Sequence, residues 1–416
     1  MANKKPPSKK KTTTITNKQI IKGAKKMAKN NPKGFIISLV VVALLVGLGV
    51  GGYFGYKYFI EPRLSGNGGN SSQRTSRSHY EGAAGAIDIN FLELGNQYTG
   101  DCTFIKAGDK DILIDAGSRQ GSAETIANFI DNYCSDGKLE YVIATHAHQD
   151  HIAGFIGTKS ATGILKRYKI DTLIDFSKSQ NQTSSKPTAI YTDYITIRDE
   201  RIASGDIAHH YTAEDCVNGT NGGKKIFELS EGITMEVLDQ KYYHEIDKND
   251  ENNHSVCTLF SQGNNYYLFT GDLEAKGEQS LVQMNDLPEV QLFKGGHHGS
   301  YTANTDNLLS VIKPKTVCVC CCAGSDEYVK SSGGLPNSEH TFPAQEAVDR
   351  IAKYTTKVYV TTVYSNDDKG YKSMNGNINF HCEDGHEYTI TGSNNSVILK
   401  DTDWFKTNRN IPNEWK

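Results

Sequence analysis

The run THAHQDH, Thr145 to His151, places three histidines and one aspartate on seven consecutive residues. A single histidine is ordinarily a surface or core residue. His146, His148, Asp150 and His151 on one tight turn can instead direct several donors into one cavity. Imidazole nitrogen suits zinc and other first-row metals, and mixed imidazole and carboxylate ligation is typical of hydrolytic sites that keep an open coordination position. Donors of the same kinds recur further along: Asp272 in YYLFTGDLE, His297 and His298 in QLFKGGHHGS, and His340 in PNSEHTFP. Each of these alone is ordinary turn chemistry. Together they make a constellation able to hold two cations, with Asp272 placed as a carboxylate that both can share.

The elements that must position these donors are short strands and intervening helices. IDINFLEL, DCTFIKAG and KDILIDAG read as strands closed by Gly or Asp, and SAETIANFIDNYC as a helix that Ser122 can cap. LEYVIAT is the strand that delivers the histidine-rich turn. Later, SVCTLFSQGNNYYLFTGD reads as a hairpin around Gly263 to Asn265, followed by a helix near LEAKGEQSLVQM, the strand EVQLFKGG, a helix at ANTDNLLSVI and the strand KTVCVCCC. This alternation predicts an α/β architecture. Strands repeatedly end in polar residues, where loops can carry chemistry on a rigid scaffold. Residues 177 to 230 are less regular, with QNQTSSKPT and VNGTNGGKK reading as loops and the elements between them left unplaced.

Composition limits the alternatives. The chain has 416 residues, 37% of them hydrophobic, enough to bury a large core. Its nine cysteines are odd in number and lack CxxC pairs, so neither a zinc ribbon nor a disulfide framework is indicated. The four in KTVCVCCC read as small buried core residues.

The net charge of −3 conceals an asymmetry. Residues 1–33 hold 11 lysines and no acid, which leaves 34 basic against 48 acidic side chains downstream, a formal −14. After this basic tail, GFIISLVVVALLVGLGVGGYFGY, Gly34 to Tyr56, runs 23 residues without a charge. That length crosses a hydrocarbon core of about 30 Å as a helix. A transmembrane helix over 34–58 is therefore expected, anchoring rather than cleaved. Its lysine-rich flank keeps the N-terminus cytoplasmic and places the bulk of the chain outside the membrane. A Gly/Ser/Asn-rich linker over 59–82 follows, then a folded domain over 83–400 and a short tail over 401–416.

THAHQDH is similar to the HxHxDH signature of the metallo-β-lactamase superfamily, and KDILIDAG, ending near Asp115, resembles the strand that precedes it there. The order LELGN…TGDC, ILIDAG, THAHQDHIAG, NNHSVCTLF, FTGDLE, LFKGGHHGS resembles the extracytoplasmic hydrolase domain of the ComEC competence-protein family, over about residues 86–390. The resemblance implies an αββα four-layer sandwich with a binuclear centre of divalent ions, Zn²⁺ or Mn²⁺. It implies His146, His148, Asp150, His151, Asp272 and His340 as metal ligands, Asp150 also orienting the nucleophile, and His297 and His298 as a proton donor and a further ligand, in an order the resemblance leaves open. His254 stands where the superfamily can supply a further histidine. Two metals about 3.5 to 4 Å apart activate a bridging water for in-line displacement.

The function implied is a membrane-anchored phosphodiesterase or nuclease, with DNA or another phosphodiester as substrate. Hydrolysis of another ester, lactone or amide is the alternative, and a non-catalytic metal-bound binding module a further one. The chain departs from the family in having one expected span rather than a multi-pass channel, and in the loop LPNSEHTFP around His340. Its −14 body lacks the basic face of a tight DNA binder, although Lys294, Lys224 and Lys225 are candidates to line a local path.

Overall fold

The computed structural model describes residues 84–325, 341–365, 370–383 and 385–416. The basic tail, the expected transmembrane helix, the linker and His340 lie outside the described residues. Among the described residues, no helix is long and apolar enough to cross a membrane.

Strands β1 (Ile87–Phe91), β2 (Thr103–Ala107), β3 (Lys110–Ile114), β4 (Lys138–Ala144), β5 (Lys169–Asp175) and β6 (Ile207–Thr212) belong to one sheet, which β15 (Ile378–Cys382) and β16 (Tyr388–Gly392) complete. The second sheet holds β7 (Ile226–Ser230), β8 (Ile233–Leu238), β9 (Cys257–Gln262), β10 (Asn265–Phe269), β11 (Leu292–Lys294), β12 (Val317–Ala323), β13 (Val358–Ser365) and β14 (Gly370–Ser373). The strand order is 16-15-1-2-3-4-5-6 in the first and 14-13-12-11-10-9-8-7 in the second. The runs β3 to β6 and β10 to β13 are parallel, because helices cross between their strands.

The helices are α1 (Ser122–Ile130), α2 (Gln149–Ile156), α3 (Ile164–Arg167), α4 (Ala189–Ser204), α5 (Ala213–Asn218), α6 (Ala275–Met284), α7 (Asp306–Ile312), α8 (Gln345–Ala352) and α9 (Asp403–Asn408). Apolar faces hold the layers together. Phe91 stacks on Phe269 and Tyr267 meets Phe380 edge-on across the two sheets, at ring distances of 6.2 and 5.1 Å. Phe129 of α1 covers Phe104 on the outer face of the first sheet, while Leu281 of α6 and Leu308 of α7 join the cluster on the second. The two-sheet α/β metallo-β-lactamase fold is thus the expected one.

Local readings changed in three places. Gly121, not Ser122, is the N-cap of α1, and the helix stops at Ile130, short of the expected Cys134. The stretch 177–230 holds the 16-residue α4, capped by Thr188 and closed by left-handed Gly205, together with β6 and α5, which starts with a Thr212/Asp215 capping box. α4 buries little beyond Tyr194 and Ile197, so its apolar stripe is too thin to register as periodicity. Finally, residues 401–416 are not a loose tail. Phe405 and Trp415 are buried against the second sheet's cluster, and Arg409 donates to the Pro343 and Thr341 carbonyls. Two large rings within a polar stretch bury more apolar area than the composition implied.

Candidate metal centre

Apart from His254, the described donors singled out from the sequence follow the C-terminal ends of strands in the parallel runs. Asp115 comes directly after β3, Thr145 to His151 after β4, Asp272 after β10, and His297 and His298 after β11. Such ends face one edge of the sandwich, the usual crevice of α/β folds.

The turn after β4 lies flat on its neighbours. Asp101 N–H donates to the Asp150 carbonyl at 3.0 Å, and a Cβ on Gly117 would stand 1.5 Å from that oxygen, so only glycine fits there. His298 and His297 occupy left-handed backbone, φ 53° and 45°, an uncommon conformation for residues with side chains. The flanking Gly296 and Gly299 let this tight turn aim both imidazoles inward.

The centre has two adjoining donor sets. In the first, Asp272 Oδ2 lies 2.9 Å from His151 Nε2 and 3.0 Å from His298 Nε2, and Asp150 Oδ2 lies 3.2 Å from His298 Nε2. In the second, His146 Nε2 and His148 Nδ1 are 3.0 Å apart. Outer groups orient the rings. Asp115 accepts from the Thr145 amide and hydroxyl, both at 2.7 Å, and holds His151 Nδ1 at 2.7 Å. His298 Nδ1–H donates to the Cys320 carbonyl at 2.9 Å and lies 3.2 Å from Asp101 Oδ1. Carboxylate and carbonyl partners of this kind fix the tautomer of metal-binding imidazoles.

His297 has a different setting. Its Nδ1 faces Glu274 Oε1 and Thr302 Oγ1, both at 3.2 Å, while Nε2 is 4.0 Å from Asp272 Oδ2. It therefore borders the donor sets rather than completing one. His254 is turned away, with Nε2 accepting from Asp247 N–H at 3.0 Å and Nδ1 3.1 Å from the Glu251 carbonyl. Ser255 takes the place beside His146, its Oγ 3.3 Å from Nδ1.

Two functional neighbours went unread in the sequence. Asp101, quoted only as part of TGDC, joins His151, Asp272 and His298 in a buried cluster whose ligand atoms lie within 4.8 Å of one another. Lys294 is no surface path. It is 3% exposed, pairs with Asp101, donates to the Gly271 carbonyl at 3.0 Å and lies 3.4 Å from Asp272 Oδ1. An apolar strand ending in LFK carries no sign of a buried amine, because its carboxylate partner comes from a distant part of the chain. Lys224 and Lys225 are exposed, and Lys225 pairs with Glu236 at 3.3 Å.

Burial and charge together set the ionisation of these groups. Burial alone would raise the Asp272 carboxyl, yet His151, His298 and Lys294 hold it well below the carboxylate range. Burial also works against protonated His151, but Asp272 and Asp115 raise it well above an ordinary imidazole. Asp272 and Asp101 do the same for His298. His146 and His148 go the other way, burial pushing both down, so they are neutral and ready to donate. Burial raises the Glu274 carboxyl, but contacts with His297, Asp250 and Thr302 together hold it down to about 2.

The donor set fits divalent cations. Nitrogen and oxygen donors converge without intervening apolar groups, and several buried carboxylates lie against imidazoles that a cation would replace as partner of the charge.

Fold and site together define a metallo-β-lactamase-type protein. The chain belongs to the metallo-beta-lactamase superfamily, whose family model matches residues 95–323. It is 30% identical over 133 residues to Recombination protein 2 of Haemophilus influenzae, covering 32% of this chain and 15% of that one. It is 24% identical over 243 residues to ComE operon protein 3 of Bacillus subtilis, covering 58% of this chain and 25% of that one. The chain thus spans a quarter or less of the curated relatives' length. Among solved structures, the metallo-beta-lactamase fold protein YhfI from Bacillus subtilis aligns at 11% identity, TM-score 0.35, over 67% of this chain and 97% of that one. Human tRNase Z, short form, aligns at 12% identity, TM-score 0.30, over 67% of this chain and 94% of that one.

Proposed function

We propose that this chain is a membrane-anchored, extracytoplasmic metal-dependent hydrolase acting on phosphodiesters, DNA among them. The observation that carries this reading is the convergence of His146, His148, Asp150, His151, Asp272 and His298 at one sandwich edge, from three separate segments. Likeness to a recombination protein fits DNA as the phosphodiester, and the uncharged run Gly34 to Tyr56 behind a lysine-rich tail supports the membrane part. In this reading His146 and His148 would hold one ion and Asp150, His151 and His298 the other, with Asp272 and His340 as further proposed ligands.

Two bound divalent ions supply Lewis acidity and an activated water. The chain's own residues do the rest. Asp150 orients the nucleophile at the open edge of the centre. Asp115 and Asp101 hold His151 and His298 in register, and the Lys294 ammonium neutralises Asp272 Oδ1, leaving Oδ2 toward the donors. His297, backed by Glu274, stands beside the centre as donor of a proton to the departing alkoxide.

The test is hydrolysis of bis-p-nitrophenyl phosphate by the full chain with Zn²⁺ or Mn²⁺, wild type against Asp150→Ala, with bound metal counted by elemental analysis. Turnover near two metals per chain, reduced roughly 100-fold or more by the substitution, is expected. A lactone or β-lactam cleaved in its place would move the reading to another hydrolase. Wild type that binds metal but turns over no ester, lactone or amide would leave a binding module.

A further inference from the structure

Arg119 stands apart from the other arginines of the described residues. Arg167, Arg198 and Arg201 each pair with an aspartate, and Arg350 and Arg409 direct N–H groups at backbone carbonyls. Arg119 has no carboxylate partner among the described residues, although acids outnumber bases by 48 to 34 beyond the basic tail.

It is nevertheless held in place. Arg119 lies on the loop between β3 and α1, where its amide donates to Ser122 Oγ at 3.3 Å. Its guanidinium carbon is 3.9 Å from the centre of the Tyr98 ring, and Nη1 donates to the Ser118 carbonyl at 3.2 Å. The Gln149 amide turns its oxygen to the same group and accepts from Nη1 at 2.6 Å and Nε at 3.3 Å. Stacking and hydrogen bonds thus fix a half-buried guanidinium, while its Nη2 edge takes no bond from the described residues.

Its place in the fold gives this arginine its meaning. Gln149 stands between His148 and Asp150, in the turn that supplies the metal donors. Gln149 and Asp150 are successive residues in the first turn of α2, so their side chains leave the helix roughly 100° apart. Asp150 Oδ2 reaches His298 Nε2 at 3.2 Å, and Gln149 holds the guanidinium to one side of the donors. With His148, Gln149 also borders a recess of about 400 Å³ whose wall includes Thr188 at the start of α4. The rim here is therefore open to a substrate longer than a single ester.

Resting on the phosphodiesterase reading, we infer that Arg119 binds a second phosphate of the substrate, next along the chain from the scissile one. A guanidinium is a planar fork that matches phosphate oxygens, and one already immobilised loses little freedom on binding. The metal donors take the scissile group, Tyr98 and Gln149 hold the guanidinium beside it, and the Nη2 edge donates to the neighbouring phosphate. The substrate class is then a phosphodiester chain, and an isolated diester leaves Arg119 unused.

The experiment uses the metal-replete full chain and two pairs of esters that release p-nitrophenolate. One pair is thymidine 5′-(p-nitrophenyl phosphate) without and with a 3′-phosphate; the other is thymidine 3′-(p-nitrophenyl phosphate) without and with a 5′-phosphate. In wild type the added phosphate should raise kcat/KM about tenfold in at least one pair. Arg119→Gln should bring that gain to within about twofold of none, and Arg119→Lys, which keeps the charge but not the fork, should retain part of it. Tyr98→Ala, which removes the platform, should lower the gain, and Tyr98→Phe should restore it. Should Arg119→Gln lose the fold, the Lys and Tyr98 variants read the same ratio.

A purely structural role would lower both members of a pair by the same factor and leave the gain intact. That result, or a wild type with no gain in either pair, overturns the proposal. If wild type cleaves none of these esters, the phosphodiesterase reading fails instead. Calorimetry with thymidine 3′,5′-bisphosphate and thymidine 5′-monophosphate then decides Arg119 alone. Tighter binding of the bisphosphate that Arg119→Gln removes supports it, and equal affinities or no binding to wild type overturn it.

Discussion

His151 has both ring nitrogens committed, Nδ1 to Asp115 and Nε2 to Asp272. Asp115 itself sits in left-handed backbone, φ 60°, pinned by two bonds from Thr145. Its work is therefore to fix the ring, and the consequence can be tested without turnover. Asp115→Asn keeps the shape but removes the charge that holds Nδ1–H. Competition with a chromogenic chelator should show metal affinity lower by roughly 10- to 100-fold, with the fold retained. Affinity equal to wild type would deny Asp115 this role.

At the scale of elements, Glu278 of α6 joins that helix to the start of α7. Its carboxylate accepts from the Asn304 and Thr305 amides at 2.6 and 2.8 Å and from the Thr305 hydroxyl at 2.5 Å. Burial nevertheless pushes its pKa up to about 7, those bonds opposing the shift only in part. A carboxyl whose folded pKa exceeds the unfolded value binds more protons when folded. Its stabilising share is therefore full below the unfolded value, near 4.5, and declines as pH rises to about 7. Denaturation at several pH values should show wild type losing up to about 3 kcal/mol over this window from Glu278. Glu278→Gln, which cannot titrate, should flatten that slope, so the substitution costs more at pH 5 than at pH 8. An unchanged slope would assign the pH dependence to other groups.

At the scale of the whole molecule, the C-terminal segment closes the second sheet. Phe405 and Trp415 meet at a ring distance of 5.7 Å inside the apolar cluster that also holds Val360 and Leu399. Phe405→Ala should cost about 3 kcal/mol or more, read as a lower midpoint in urea. A shift below about 1 kcal/mol would show this segment to be peripheral, as its sequence implied.

Much of the site was legible because its information is local. Ligand types, their spacing in THAHQDH and HHGS, and the apolar strand before each one are properties of short windows. They determined the kind of chemistry, the α/β alternation and the strand ends that carry it. What the sequence could not show depends on contacts between distant segments. Asp101 and Lys294 meet from opposite sheets, and nothing near either one reveals a buried partner. His254 and Ser255 are neighbours with equal access to the turn, and only packing decided that the serine faces His146. The stretch 177–230 looked irregular because α4 buries so thin a stripe, yet its N-terminus shapes a wall beside the metal centre. Composition and spacing thus determined which donor atoms the chain can offer. The closing of two sheets against each other decided which of those atoms meet, since burial and long-range pairing arise only once the layers have packed.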